Sequence, residues 1–428
     1  MPTLSEDLRF RGVVHQVTDE AILERLDAGG VSAYIGFDPT APSLHVGSLL
    51  QLITLRRLQL AGNRPIVVAG GGTGTIGDPG GRTDERQLLS EAELATNIAG
   101  VREQLTQFLD FSDAAGPSTA LLVDNASWLR SIQLIDFLRE VGKHFTVNQM
   151  IAKESVRSRL ERPDVGISFT EFSYMLLQAY DFLRLHVDHG CDLQLGGSDQ
   201  WGNITLGVEL IKKVTGDQAF GLTSPLLTKA DGTKLGKSTL TNEHVWLDRR
   251  LTSPFRLYQY FLNVEDETVG TMLRLLTFLS HDAILDLERS VDAAPAARAA
   301  QRALAYEVVA FIHGTVDAEQ AVRASEALFD ETIADLDEDT LVAVTSDAPS
   351  TRVTRDELVG AQISELVVST GLVKSQSEAR RAIEQGGIYV NNKRVDELGS
   401  TISPADLLHG RIVLLRRGKK HPHVVIAR

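Results

Sequence analysis

Two basic elements in the sequence carry the residue types that handle phosphate. The first is His45-Val46-Gly47-Ser48, preceded by Thr40. His45 offers a donor to phosphate oxygens as charge builds on them, Thr40 offers a second, and Gly47 lets an adenine or ribose lie against bare backbone. The second is the run from Thr228 to Ser238, TKADGTKLGKS, a glycine-hinged segment with Lys229, Lys234 and Lys237. Such a segment can close over a triphosphate and neutralise a departing pyrophosphate. Alone, the first element reads more readily as a capping histidine with a packing glycine, and the second as a solvated surface loop. Together they point to a nucleotide site.

A third element misleads. Gly72-Thr73-Gly74-Thr75-Ile76-Gly77 matches G-x-G-x-x-G after a strand-like run, the dinucleotide pattern. That pattern needs a helix to begin there, so that its amides hold a pyrophosphate. The continuation Asp78-Pro79-Gly80-Gly81 prevents a clean helix start and sets a carboxylate where pyrophosphate would sit. Asp78 also stands where a Walker loop requires lysine. A dehydrogenase is disfavoured; the loop instead lets a ligand approach closely, with Asp78 facing a cation or an amine.

These residues need elements to hold them. AYIGFDP alternates and ends at Pro39, a strand; Leu49 to Leu60 has helical spacing closed by Gly62-Asn63; RPIVVAGGGTG is a buried-type strand running into glycines. Strand, helix, strand is a βαβ unit, and ligands of open parallel sheets bind at the carboxyl ends of such strands. Helices are expected over Glu91–Asp110, Trp128–Val141 and Phe169–Leu185, and strands at Leu121–Asp124 and CDLQLGG. The expected fold class is α/β, a Rossmann-like parallel-sheet catalytic domain over 1–250. A helical subdomain follows over 251–340, then a linker over 341–357 containing Asp347-Ala-Pro-Ser-Thr351, and a small α+β domain over 358–428.

The net charge is −14, with 43 Lys+Arg against 57 Asp+Glu in 428 residues. A uniformly acidic surface would repel a polyanion, but the charge is not uniform. Residues 351–428 carry 13 Lys+Arg and 8 Asp+Glu, whereas 281–350 carry 15 Asp+Glu against 4 Lys+Arg. The C-terminal part thus reads as a separate unit with its own partner. Cys191, the single cysteine, excludes an internal disulfide; with no signal pattern in MPTLSEDLRF and no long apolar run, a cytoplasmic protein without membrane contact is expected. His186 and His189 lack an evident third ligand, so no protein metal site is expected.

HVGS resembles the HIGH signature and KLGKS the KMSKS signature of class I aminoacyl-tRNA synthetases. YIGFDPTAPSLHVGS, GDPGGR, TEFSYMLLQAYD and LQLGGSDQWGN, in this order over almost the whole chain, resemble the bacterial tyrosyl-tRNA synthetases. The resemblance implies that Tyr34 and Asp181 bind the phenolic hydroxyl of L-tyrosine, that Asp78, Tyr174 and Gln178 hold its α-ammonium, and that Gln200 meets its carboxylate region. Tyr174, Gln178 and Asp181 are spaced i, i+4, i+7, so one helix face presents all three. It further implies an ATP site of Gly36, Asp38, His45, Gly47, Ser48, Gly197, Asp199 and Lys237, with Gln194 on the strand before it. Thr40, His45, Lys234, Lys237, Ser238, Arg82 and Arg86 would stabilise charge on the phosphates. Ser48 and Leu235-Gly236 depart from the signatures: Ser48 carries no charge where a second histidine is usual, and Leu235-Gly236 loosens the hinge.

The implied reaction is activation of tyrosine by ATP, accompanied by Mg²⁺, followed by transfer to the 3′ end of tRNA(Tyr). No covalent nucleophile is required; positioning and charge stabilisation suffice. A buried Asp181 that expects a hydroxyl rejects phenylalanine, which would leave it unpaired. SQSEARRAIEQGGIYVNNKRV resembles the small RNA-binding domain named after a small-subunit ribosomal protein, with Lys374, Ser377, Arg380, Arg381, Lys393 and Arg394 facing RNA phosphate. Arg416, Arg417, Lys419 and Lys420 lie beyond. Lys153, Arg157, Arg159, Lys212 and Lys213 would touch the acceptor stem, by family analogy on a homodimer. Two alternatives stay open: a degenerate RNA-binding relative, against which intact His45, Lys234 and Lys237 argue, and the related tryptophan ligase, disfavoured by Asp181 with Tyr34.

Overall fold

The computed structural model describes residues 2–78, 89–160, 166–228, 232–233, 235, 244–327, 331–345, 348–418 and 421–428. Arg82, Arg86, Lys229, Lys234, Lys237, Ser238, Lys419 and Lys420 lie outside them, as does the side chain of Arg159. The chain divides into two units: residues 1–252 with 263–304, and residues 253–262 with 305–428.

The first unit is built on a six-stranded sheet of β1 (Gln16–Val17), β2 (Ser32–Phe37), β3 (Arg64–Ala69), β4 (Leu121–Asp124), β5 (Cys191–Gly197) and β6 (Phe220–Ser224), in the order β1-β6-β5-β2-β3-β4. All pairs are parallel except β1 with β6. Strand order turns back between β2 and β5, which makes their carboxyl ends the natural ligand crevice. Helix α1 (Leu49–Leu60) links β2 to β3 and buries residues all round it, as a crossover helix beneath a sheet must. Helix α2 (Glu91–Phe108) starts on a Ser90 capping box. Helix α3 (Phe169–His189) is capped by Ser168 and ended by Gly190, whose φ of +62° suits a residue without Cβ. Helix α4 (Trp201–Val214) packs with α3 over Tyr34, Ile66, Phe182, Leu206 and Ile211 in one core.

The expected helix over Trp128–Val141 is in fact two short ones, Ala126–Leu129 and Leu134–Glu140, because Gln133 adopts extended backbone between them. The N-terminal segment is held by charge. Arg11 and Arg57, both buried, share the Asp7 carboxylate and donate to the Thr277 carbonyl, and His281 also meets Asp7 at 2.8 Å. No described helix is long and apolar enough to cross a membrane.

The second unit holds a five-stranded sheet of β7 (Ser350–Val353), β8 (Ile388–Val390), β9 (Lys393–Arg394), β10 (Ile412–Arg417) and β11 (His421–Ala427), in the order β7-β11-β10-β8-β9. β8 and β9 are joined by Asn391-Asn392, both with positive φ (49° and 63°), the two-residue turn whose twist matches a hairpin. Helices α5 (Ile363–Ser369) and α6 (Gln376–Glu384) cover one face, placing Leu366, Val367, Ala379 and Ile383 against Val413, Leu415 and Val425.

The expected linker over 341–357 is not a linker. It contains the end of a helix, Glu338–Thr345, and the strand β7, which pairs in parallel with β11. Ile333 and Leu341 share a core with Leu408, Ile412, Leu414 and Val424, so the preceding helical stretch and the C-terminal sheet are packed as one body. The boundary at 251 also moves, since residues 263–304 associate with the first unit.

Candidate active site

The carboxyl ends of β2 to β5 converge on a polar crevice. Tyr34, on β2, is 2% exposed, and its hydroxyl is buried without a hydrogen-bond partner. Burial and the nearby Asp181 charge push that hydroxyl well above its usual range. Asp181, on α3, is also buried; its two oxygens accept from Asn125 Nδ2 at 2.8 Å and Trp128 Nε1 at 2.6 Å. Burial raises the carboxyl to about 7, with the two donors opposing and Asp38 adding to the rise. A buried hydroxyl without a partner beside a buried carboxylate is costly for a fold, and a ligand hydroxyl placed between them would complete both.

Tyr174 and Gln178, from the same face of α3, reach different partners. Tyr174 Oη donates to Asp38 at 2.9 Å, and Asp38 also accepts from Thr73 Oγ1 at 2.9 Å. Gln178 Oε1 accepts from Asn203 Nδ2 at 3.0 Å, and the same amide lies 3.2 Å from Gln200 Oε1. Gln200 in turn donates to Asp78 at 2.5 Å. Asp78, Gln200, Asn203 and Gln178 thus form one chain of polar contacts and Tyr174, Asp38 and Thr73 another, with the Asp78 charge near enough to help raise the Tyr174 hydroxyl. Gln194, in register with Tyr34 on the paired strand, is buried with its Oε1 unpartnered.

Sequence reasoning does not single out Asn125, Trp128, Thr73 or Asn203. The signal available is place: Asn125 and Trp128 directly follow β4, and Thr73 sits in the turn after β3, so each lies just past the carboxyl end of a parallel strand. Thr73 and Asn125 are linked at 3.0 Å, and Asn125 Oδ1 accepts from Gly72 N–H at 2.7 Å. The glycine-rich run is therefore a pocket wall, in keeping with the carboxylate of Asp78, and contains a short 3₁₀ turn rather than a helix start.

The residues expected to meet nucleotide lie on and around the turn before α1. His45 is the N-cap of the Val46–Ser48 turn, and its Nδ1 accepts from Gly47 N–H at 2.9 Å. That bond fixes the ring proton on Nε2 when the imidazole is neutral, so capping and donation to a ligand coexist in one ring. A Cβ built on Gly47 would stand 2.6 Å from His45 Cε1, so a side chain there would displace the ring. The same position lies 3.6 Å from the carbonyl of Leu235, the described residue of KLGKS. Gly36 is exposed with open space above it, and a Cβ on Gly197 would stand 2.9 Å from Asp199 Oδ1. Thr40 is exposed and Ser48 half-buried on the same rim. Among the described residues, no three of His, Cys, Asp and Glu converge as metal ligands.

The basic residues sort into two sets. Lys374, Ser377, Arg380, Arg381, Lys393 and Arg394 are all exposed on α6, its N-terminal approach and the β9 hairpin. Arg416 is different: it is 6% exposed and donates to Asn392 Oδ1 at 2.6 Å, which removes it from phosphate contact. In the first unit, Lys153 donates to Thr205 at 2.9 Å, Lys212 to the Gly216 carbonyl at 2.8 Å and Lys213 to the His144 carbonyl at 2.6 Å, while Arg157 pairs with Glu154.

The model of the class I tRNA synthetases (W and Y) matches residues 27–330, and that of the tyrosine–tRNA ligase SYY-like C-terminal domain matches residues 340–425. The chain is similar to a Roseiflexus castenholzii tyrosine–tRNA ligase (49% identity over 427 residues, 99% of each chain) and to one from Bacillus caldotenax (48% over 424 residues, 99% of each). A C-terminally truncated Aspergillus nidulans mitochondrial tyrosyl-tRNA synthetase superposes with a TM-score of 0.68 at 33% identity, covering 77% of this chain and 95% of that one. Full-length similarity at this level, together with a crevice that pairs a buried tyrosine with a buried aspartate, shows that the chain belongs to the tyrosine–tRNA ligases within the class I tRNA synthetase family.

Proposed function

We propose that the chain joins L-tyrosine to tRNA(Tyr) in two steps. The tyrosine carboxylate attacks the α-phosphate of ATP, releasing pyrophosphate, and the tyrosyl group of the adenylate then passes to a ribose hydroxyl at the 3′ end of the tRNA. The observation that carries the tyrosine assignment is the Tyr34 hydroxyl, buried and without a partner beside Asp181. A phenol there accepts from Tyr34 and donates to Asp181; an indole or a phenyl ring cannot do both.

The polar rim suits the rest of the amino acid. Asp78 and the Tyr174 and Gln178 oxygens offer acceptors to an α-ammonium, and Gln200 lies beside the carboxylate that must reach phosphorus. Thr40 and His45 would donate to the phosphates, with Lys234, Lys237, Ser238, Arg82 and Arg86 in segments beyond the described residues. Gly36, Asp38, Gly47, Ser48, Gly197 and Asp199 border the space for adenosine. Mg²⁺ would enter with ATP and lower the charge on its phosphates. The exposed basic face of the C-terminal unit would hold tRNA phosphate, and Lys153, Arg157, Lys212 and Lys213 would contribute less, because their charges already have partners.

We also infer a homodimer: Leu134, Ile135, Val147 and Phe169 are each at least 60% exposed, an unusual density of open apolar side chains in one stretch of chain. Tyrosine-dependent ATP–pyrophosphate exchange, followed by charging of tRNA(Tyr), tests the reaction. Exchange driven by tryptophan and not by tyrosine would reverse the substrate assignment.

A further inference from the structure

The backbone ladder that fixes His45 fixes a second imidazole beside it. Val46 N–H donates to the Val245 carbonyl and Leu247 N–H to the Leu44 carbonyl, both at 2.9 Å, so residues 244–247 run antiparallel to 44–46. This short ladder brings three rings together. The His45 and His244 centroids are 5.2 Å apart with planes at 29°, His244 and Trp246 are 5.3 Å apart, and His45 and Trp246 are 6.4 Å apart. His244 is exposed, yet its ring rests against two aromatic neighbours, so its position is set in advance of any ligand.

The arrangement answers a deficit in His45. With Nδ1 accepting from the Gly47 N–H, a neutral His45 carries a single N–H donor. The α-phosphate chemistry transfers an electron pair to a departing pyrophosphate, whose charge is spread over several oxygens. The single His45 N–H covers only one of them, beside the other donors already assigned to the phosphates. A second imidazole held at stacking distance brings another ring donor to the same ligand.

We propose that His244 is a second phosphate-binding imidazole of the activation step, donating to the β- or γ-phosphate of ATP beside His45 and stabilising pyrophosphate as it leaves. The proposal rests on the reading of His45 as a phosphate donor. It adds no covalent step: the tyrosine carboxylate oxygen bonds to the α-phosphorus, the bond from that phosphorus to the bridging oxygen breaks, and its electron pair departs with pyrophosphate toward His244.

The test uses the full-length protein and measures ATP–pyrophosphate exchange and single-turnover adenylate formation. His244→Ala should lower kcat/KM for ATP by about tenfold, the scale of one charge-assisted hydrogen bond, and raise KM for pyrophosphate, while leaving KM for tyrosine nearly unchanged. His244→Phe keeps a ring in the cluster without a donor and should lose as much; it also carries the test should the alanine variant fail to fold. Wild-type activity in His244→Phe would reduce His244 to a packing ring and overturn the proposal. So would an unaltered His244→Ala in a protein whose His45→Ala variant is impaired. If His45→Ala is itself unaltered, the phosphate-donor reading beneath the proposal falls instead.

Discussion

The Trp128 indole N–H donates to the Asp181 carboxylate over 2.6 Å, and this bond joins the turn after β4 to the middle of α3 across 53 residues of sequence. Asn125 holds the other carboxylate oxygen. Asp181 is thereby aimed by donors on one side, with its remaining lone pairs available to a ligand. Trp128→Phe removes one donor while keeping a ring. A hydrogen bond to a charged group contributes about 1.5–3 kcal/mol, so KM for tyrosine should rise by roughly tenfold or more, with KM for ATP little changed. Asp181→Asn should lose more, because an amide offers one acceptor where Asn125 and Trp128 supply two donors. Exchange assays over a tyrosine titration check both; equal KM values for tyrosine in wild type and Asp181→Asn would remove Asp181 from the phenol site.

The raised carboxyl of Asp181 makes a pH prediction. Its value in the unfolded chain is near 3.8 and in the fold about 7, chiefly through burial. Between those values the folded state keeps a proton that the unfolded state has lost. Ligand-free stability therefore falls as pH rises from about 4 to 7, at up to roughly 1.4 kcal/mol per pH unit from this group. Asn does not titrate, so urea unfolding of Asp181→Asn alongside wild type should show wild type losing ground to the variant as pH rises across that window. A pH-independent difference would contradict the burial argument. Ionised Asp181 is the better acceptor for a phenol, so tyrosine should bind more tightly as pH passes 7.

How far these features can be read in the sequence depends on the distance over which they are set. β2, β3 and β5 are apolar runs stopped by glycine or proline, and the pattern locates them to within a few residues. HVGS and KLGKS stand out in the sequence as candidates because phosphate chemistry limits which residues serve. The Asn125, Trp128 and Asp181 triangle does not, because Asn125 and Trp128, together in the turn after β4, meet an α3 residue more than 50 positions later. The linker reading of 341–357 fails for the same reason. Ser350–Val353 looks like loop composition, and what makes it a strand is β11, which lies some 70 residues later: Val424 pairs with Ser350. Likewise the apolar face containing Ile333 and Leu341 finds its cover in Leu408 and Val424.

Gly47 stands between the His45 ring and the Leu235 carbonyl, and Gly47→Ala tests the proposed nucleotide site. The new methyl would stand 2.6 Å from His45 Cε1 and 2.8 Å from Nδ1, closer than any Cβ contact tolerates. The imidazole must rotate away, losing the bond from Gly47 N–H that sets its tautomer. Adenylate formation should slow by about a hundredfold or more, the scale of one misplaced charge-stabilising donor. Tyrosine binding, built on β2, α3 and the β4 turn, should persist. Equilibrium binding of tyrosine alongside single-turnover kinetics separates the two effects.

Packing of the 333–341 stretch against the C-terminal sheet changes how tRNA binding should be tested. A linker over 341–357 would make truncation at Thr351 a clean experiment; in the fold, that cut strips the cover from Ile333 and Leu341, so loss of activity would be ambiguous. Substitution on the exposed face of α6 avoids this. Lys374, Arg380 and Arg381 are exposed, whereas the core residues of the same region are Val373, Ala379 and Ile383, so replacing the three basic side chains by alanine leaves the fold intact. Removing a phosphate-binding side chain should weaken tRNA binding and reduce the slope of log affinity against log salt by about 0.7–0.9 per charge. The triple variant should therefore charge tRNA(Tyr) with a KM for tRNA raised by at least about tenfold at moderate salt, with a shallower salt dependence and unaltered tyrosine-dependent pyrophosphate exchange. A steep wild-type salt slope in the variant would show that the tRNA phosphates lie on some other face of the protein.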